Sequence, residues 1–203
     1  ATTEIYTLSL HDALRSKRIC KKLLEKLNES YEKNSKDEWK WFEECLTYDN
    51  ARLPQALLMG GIYFKNSTFL YNGLESLNWM YDVINDKEKN YISPIGNEGW
   101  YYKGKEKAKF DQQPVEIASI IDACYQAYLI SEDMEWISKI GVAFSWFLGN
   151  NDRQEPLYDF TTGGCFDGLT SAITNQNQGA ESTISWLTSL HRMYRIRQEL
   201  QVE

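Results

Sequence analysis

Positive charge, histidine and long apolar runs are all scarce in this sequence. Twenty-two basic side chains face 29 acidic ones, for a formal net charge of −7. That balance argues against a nucleic-acid binder, which needs a basic patch to neutralise phosphates. The apolar runs, such as Ile140 to Leu148, are broken and far short of the ~20 residues that span a bilayer, so no membrane span is expected. No basic segment followed by an apolar one opens the chain, which leaves no visible secretory signal and points to a cytoplasmic protein. The start at Ala1 rather than Met suggests a processed chain or an excised domain. Cys20, Cys45, Cys124 and Cys165 lie far apart and form neither a CxxC pair nor a zinc spacing, so reduced, buried thiols are expected and no metal site. His11 and His191 fall within helical patterns and anchor no Cys–His or Ser–His arrangement. GxSxG, HExxH, Walker and GxGxxG signatures are absent, and so is the Asp-x-Asp pair often used to hold a nucleotide sugar through a metal. No cofactor is expected.

What is present is aromatic and helical. Seven Trp, 13 Tyr and 8 Phe occur in 203 residues, a length suited to one domain spanning 1–203 with a sizeable core. Leu10, Leu14, Ile19, Leu23, Leu24 and Leu27 mark a first helix over roughly Ser9 to Asn28, and Leu53, Leu57, Gly60 and Phe64 a second. Leu70, Leu74, Leu77, Tyr81 and Ile84 mark a third. Val115, Ile117, Ile120, Ile121, Cys124 and Tyr128 give a fourth, Trp136, Ile140, Phe144 and Phe147 a fifth, and Ile184, Leu187, Leu190 and Tyr194 a sixth. Pro114 suits a first helical position. Shifting the sequence by 67 residues lays Phe69 on Trp136, Leu77 on Phe144, Trp79 on Trp146, Leu53 on Ile120 and Asp49 on Glu116. Two helical hairpins thus read as copies of one unit. The expected fold is all-α, with stacked hairpins whose inner helices lie near 51–65, 114–130 and 179–198. A small β-hairpin is expected around 91–102, and a long loop from Gly149 to Gly179 has too many aromatics for disorder.

Polar clusters precede each inner helix: Trp41 to Arg52, Phe110 to Glu116, and Asn175 to Ser182. If the inner helices lie side by side, their N-termini meet at one end and these clusters converge on a cleft. The candidate acid–base groups are Glu43, Asp49, Glu116, Asp159, Asp167 and Glu181. The candidate substrate-binding groups are Trp41, Tyr48, Asn50, Arg52, Gln113, Tyr158, Asn175 and Asn177. Asp49, Asn50 and Asn177 equally suit N-caps, and Glu116 and Glu181 suit first-turn partners of the helix dipole. Loop aromatics such as Trp39, Trp41, Trp100 and Tyr158 serve either as lids on the core or as platforms for the C–H face of a sugar.

Trp41-Phe42-Glu43-Glu44-x-Leu46-Thr47-Tyr48-Asp49-Asn50-Ala51-Arg52-Leu53-Pro54 resembles a signature of the all-helical region that trails bacterial group 1, GT-B type glycosyltransferases. Gln113-Pro114-Val115-Glu116, Trp146 to Asp152, Tyr158 to Leu169 and Asn175 to Thr183 are similar to its later blocks, so the resemblance covers about Trp39 to Leu190. It implies a toroid of helical hairpins like that of six-hairpin glycosidases, here about half complete, and a carbohydrate partner. It also implies N-terminal transfer domains that this chain lacks, with residues 1–36 as the linking helix. Three readings stay open: a helical glycosyltransferase domain that contacts or positions a sugar acceptor, a small glycoside hydrolase using two of the carboxylates, and a non-catalytic scaffold in which the clusters are only caps.

Overall fold

The computed structural model describes the backbone from Thr2 to Gln201 and the side chains from Leu14 to Gln201. The side chains of Leu10 and His11 lie outside that range. Helices α1 (Thr2–Asn34), α2 (Arg52–Phe64), α3 (Ser67–Ile84), α4 (Pro114–Ser131), α5 (Met134–Ser145) and α6 (Ala180–Leu200) make the molecule mostly helical. None of them is long and apolar enough to cross a membrane, among the described residues. Helices α2, α4 and α6 form one row, in which α4 touches both neighbours. Behind them α3 pairs with α2 and α5 pairs with α4, while α1 lies against α2 and α3.

The 67-residue repeat is written into the backbone. Lys65 ends α2 and Glu132 ends α4, each in the left-handed conformation with φ of 53° and 56°. Each is followed at once by a side-chain N-cap: Asn66 accepts from the Phe69 amide of α3, and Asp133 accepts from the Glu135 amide of α5. A left-handed residue that frees the chain from one helix, then a polar cap that starts the next, gives a tight helical hairpin. Placing that pair of signals 67 residues apart produces the two hairpins.

Short antiparallel pairs brace the loops. Strands β1 (Cys45–Leu46), β2 (Asn85–Asp86), β3 (Tyr91–Ile92), β4 (Tyr101–Tyr102), β5 (Gly168–Leu169) and β6 (Thr174–Asn175) pair as β1–β4, β2–β3 and β5–β6. The hairpin expected within 91–102 does not form. Both of its strands exist, but Tyr91 pairs with Asp86 and Tyr102 with Cys45. The reason is local. The Asp86 carboxylate accepts the amides of Glu88 and Lys89, closing a turn before Tyr91, while the Gly96 and Glu98 amides bond to Ala108 and Phe110 carbonyls. The backbone between the two strands is thereby committed to 108–110. A Cβ on Gly96 would sit 2.1 Å from the Phe110 carbonyl oxygen. Gly96→Ala is therefore expected to cost about 1–3 kcal/mol by forcing these segments apart, read as a lowered urea midpoint. An unchanged midpoint would refute this account of the loop.

The core runs through both layers. Trp41, Phe42, Leu57, Leu58, Leu77, Ile117, Ile121, Trp146 and Phe147 are all buried. Trp39 and Trp41 both pack on Trp79 of α3, with ring centroids 4.9 Å and 6.1 Å away. The sixth helix departs from its sequence pattern: Ile184, Leu187, Leu190 and Tyr194 are exposed, and the buried positions are Ser182, Ser185, Trp186, Ser189 and Ile196. Small serines whose hydroxyls are satisfied within the helix, as Ser189 is by the Ser185 carbonyl, make a surface that another helix can approach closely. At the other end of the chain Leu14, Ile19 and Leu23 are also exposed, while Leu24 and Leu27 pack on the core. Cys124 and Cys165 are buried free thiols as expected, but Cys45 is only half-buried and Cys20 is exposed.

Candidate functional site

The starts of α4 and α6 lie next to each other, and the loops before them close a polar cleft of about 280 Å³. Asp111 and Gln113 line it from the α4 side, and Asp167, Asn175, Gly179, Ala180, Glu181 and Ser182 from the α6 side. None of these is a cation. The β5–β6 hairpin holds its loop against α4 through Leu169, which exchanges both backbone hydrogen bonds with Gln112 at 2.9 Å. That pairing brings Asp167, one residue before β5, and Asn175, in β6, to the mouth of α6.

Asp167 caps α6 from outside the helix. Its Oδ1 accepts the Gly179 amide at 2.7 Å, and its Oδ2 accepts from Asn177. Burial pushes this carboxyl up, but the hydrogen bonds from Asn177, Ser182 and Gly179 outweigh it and hold the group below its ordinary value. Asp111 goes the other way: burial, helped by the nearby charge of Glu98, raises it. The cleft thus holds two carboxyls whose environments push their proton affinities apart.

Glu181 reaches across to the loop before α2, where the Tyr48 hydroxyl donates to its Oε2 at 2.9 Å. Burial and that bond push the Tyr48 phenol up to about 12, so it remains a proton donor throughout the ordinary pH range. Half-exposed Tyr48 is thus the one residue of the α2 loop tied directly to the cleft wall.

The remaining candidates are spent on structure. Trp41 is 1% exposed and packs between Phe42 and Trp79, so it cannot touch a ligand; its hydrophobic area is worth more in the core than at a rim. Asn50 is buried, bonded twice to the Thr47 backbone and once to Glu116. Glu116 is 5% exposed, and its carboxyl accepts the Asp49 amide and the Asn50 side-chain amide, linking the first turn of α4 to the approach of α2. Burial raises it to about 7 despite these bonds. Asp49 and Asn50 are not caps: the N-cap of α2 is Ala51, and that of α6 is Gly179 rather than Asn177. Arg52 is exposed and joins Asp49, Gln55 and Asp122 at 3.4, 2.8 and 3.2 Å. Glu43 is exposed and outside the cleft lining.

Asp159 and Tyr158 belong to the neighbouring loop. Asp159 turns back on that loop, accepting from the Thr161 amide, Thr162 and Gln178, which lower it to about 2. This ties the loop to Gln178, one residue before the cleft. Tyr158 stacks on Trp186 at 4.6 Å and carries Phe160 on its edge at 4.7 Å. Tyr158 is thus half-buried support, and Phe160 is the exposed ring beside it.

Sequence reasoning missed Asp111, which was visible only as part of the Phe110-to-Glu116 cluster. It also missed Asp152 and Gln112. Asp152 accepts from Tyr91, Lys109 and Gln112, while the Gln112 carbonyl oxygen accepts the Trp146 indole N–H at 3.1 Å. These five groups come from distant points of the chain, and no local pattern announces them. Among the described residues no group of three or more His, Cys, Asp and Glu is arranged to hold a metal ion. No family model matches the sequence, and no curated protein sequence matches it significantly.

Proposed function

We propose that the cleft between the starts of α4 and α6 binds a neutral carbohydrate, and that the chain is the helical, acceptor-positioning part of a bacterial glycosyltransferase, cytoplasmic and built as a partial toroid. The observation that carries this reading is the cleft's lining: carboxylates and amides that accept and donate hydrogen bonds, with no cation. A sugar's hydroxyls suit such a surface. A nucleotide diphosphate does not, because it needs cations, a metal or free helix-terminal amides. The Gly179 amide at the start of α6 is already taken by Asp167, and Arg52 is held by Asp49 and Asp122. The donor half of a transfer reaction therefore belongs to other domains.

Each sugar hydroxyl bonded here nets only about 1 kcal/mol, which after association costs gives affinity in about the millimolar to high-micromolar range. Calorimetry or ligand-observed NMR with a panel of oligosaccharides and nucleotide sugars tests this. The expected outcome is weak binding of an oligosaccharide that falls about tenfold in Glu181→Gln or Asn175→Ala, the loss of one or two good hydrogen bonds. Sugar transfer from a nucleotide sugar by this chain alone would overturn it.

The split carboxyls favour one second reading, glycoside hydrolysis with Asp111 as the acid and Asp167 as the ionised partner. Pairs of carboxyls with proton affinities pushed apart are the equipment of that chemistry. Hydrolysis of a glycoside by the wild-type chain, abolished in both Asp111→Asn and Asp167→Asn, would replace the first reading with this one.

A further inference from the structure

Phe160 is 78% exposed, the most exposed of the large apolar side chains among the described residues. The other exposed aromatics among them are tyrosines, whose hydroxyls water can bond; Phe160 has no such handle. Its turn is tightly closed. The Asp159 carbonyl accepts the Gly163 amide at 2.8 Å, the Asp159 amide donates to the Gly164 carbonyl at 3.0 Å, and the Asp159 carboxylate accepts the Thr161 amide at 2.8 Å. Beneath the turn, Tyr158 meets the Phe160 ring edge-to-face with centroids 4.7 Å apart and stacks on Trp186 at 4.6 Å, and Trp186 stacks on Phe144 at 5.4 Å. A ring fixed in this way loses rotamer freedom without burying its outer surface, the combination that suits a preorganised contact for a ligand.

The base of this turn is joined to the wall of the polar cleft on two sides. Tyr158 bridges to Cys165, and Asp167, a cleft residue, follows two positions later. The Asp159 carboxylate also accepts from Gln178 Nε2 at 2.8 Å, and Gln178 precedes Gly179, another cleft residue. Gly164 passes so close to the Gln178 side chain that a Cβ would collide with it. We infer that Phe160 is the stacking platform of a second sugar subsite at the cleft rim, which takes a further unit of an oligosaccharide whose neighbouring unit lies in the cleft. This rests on the carbohydrate reading of that cleft. The electron-rich face of the ring attracts the C–H face of a pyranose, while the cleft's carboxylates and amides bond hydroxyls. Hydroxyl pattern is thereby read in the cleft and chain length at Phe160. A protein partner fits less well, because the ring is followed by exposed Thr161, Thr162 and Gly163 and so offers little apolar area.

Ligand-observed NMR titrations of the full chain with disaccharides and pentasaccharides of glucose and of mannose test it. The wild type is expected to bind one pentasaccharide at least about tenfold more tightly than the matching disaccharide. Phe160→Ala and Phe160→Leu are each expected to abolish that advantage while disaccharide affinity and the urea midpoint stay at wild-type values. Leucine keeps apolar bulk but lacks the flat face, so a merely structural role would survive it. Phe160→Trp, which keeps a flat face, is expected to retain the advantage. Glu181→Gln is expected to weaken both lengths alike, since it acts in the cleft, and this separates the inference from the reading beneath it. Equal affinity of the two lengths for the wild type, an advantage that survives Phe160→Ala or Phe160→Leu, or equal losses at both lengths in Phe160→Ala would overturn the inference and leave the cleft reading standing. Binding of neither length would overturn both.

Discussion

Between pH 4.5 and pH 8 the protein is expected to lose about 3 kcal/mol of stability through Glu116 alone. The carboxyl is buried and raised from 4.5 to about 7, and one pKa unit is worth ~1.4 kcal/mol. The sign follows from proton counting. Below pH 4.5 the group is protonated in both states, and the native state's preference for the proton is fully realised. Between 4.5 and about 7 the unfolded chain has released the proton while the folded one keeps it, so stability falls as pH rises. Above about 7 both are ionised and the loss is complete. In Glu116→Gln the amide oxygen can still accept the Asp49 amide, but nothing titrates there. Urea unfolding of both proteins at pH 4.5 and pH 8 measures the effect as a difference, which cancels the opposite contribution of Asp152 and Asp167, whose proton affinities are lowered. The variant is expected to lose less stability than the wild type across this range. Identical pH slopes would show that Glu116 is ionised at little cost.

Gln112→Leu is expected to destabilise the fold by about 3–5 kcal/mol, the usual consequence of breaking a buried polar network that holds a charge. Gln112 is fully buried, and its side chain bonds the Lys109 carbonyl at 2.8 Å, the Asp152 carboxylate at 2.6 Å and the Trp146 indole at 3.1 Å. Leucine matches its size but satisfies none of them. It leaves the Trp146 N–H and one acceptor of Asp152 facing apolar surroundings, and the Asp152 side chain is only 1% exposed. Gln113→Leu, one residue on at a half-buried site, is the contrast and should fall within about 0.5 kcal/mol. Equal urea midpoints for Gln112→Leu and the wild type would refute the network's importance. Because the Gln112 backbone also holds β5, and β5 follows Asp167, the loss should reach the cleft before it reaches the helices.

That difference between neighbours marks the boundary of what a sequence shows. Gln112 and Gln113 look alike in the chain, and nothing local distinguishes the one that carries the network from the one that lines the cleft. The inner helices, by contrast, were legible almost to the residue: 51–65, 114–130 and 179–198 against Arg52–Phe64, Pro114–Ser131 and Ala180–Leu200. Helical periodicity and Pro114 at a first position are the local signals that showed them, whereas the cap pairs at 65–66 and 132–133 emerged only in the structure. The placement of polar clusters at helix starts was legible too, since it needs only the helix order.

Which members of those clusters face the cleft was not legible. Trp41 and Glu116 entered the core, and Asn50 closed a turn, because each met a partner from elsewhere in the chain: Trp79, the Asp49 amide and Thr47 with Glu116. Asp111 and Asp167 acquired different proton affinities from their surroundings, not from their identity. The sixth helix shows the same division. Its existence follows from spacing, but its apolar stripe stayed outside and its serines went in, because the neighbour that packs there is α4 and close approach favours small side chains. The sequence by itself determined the helices, their repeat and the end of the stack where polar residues collect, because these depend on residues within a few turns of one another. The tertiary structure alone decided which face each helix buries and which carboxyl keeps its proton, because burial and pairing depend on partners tens of residues away.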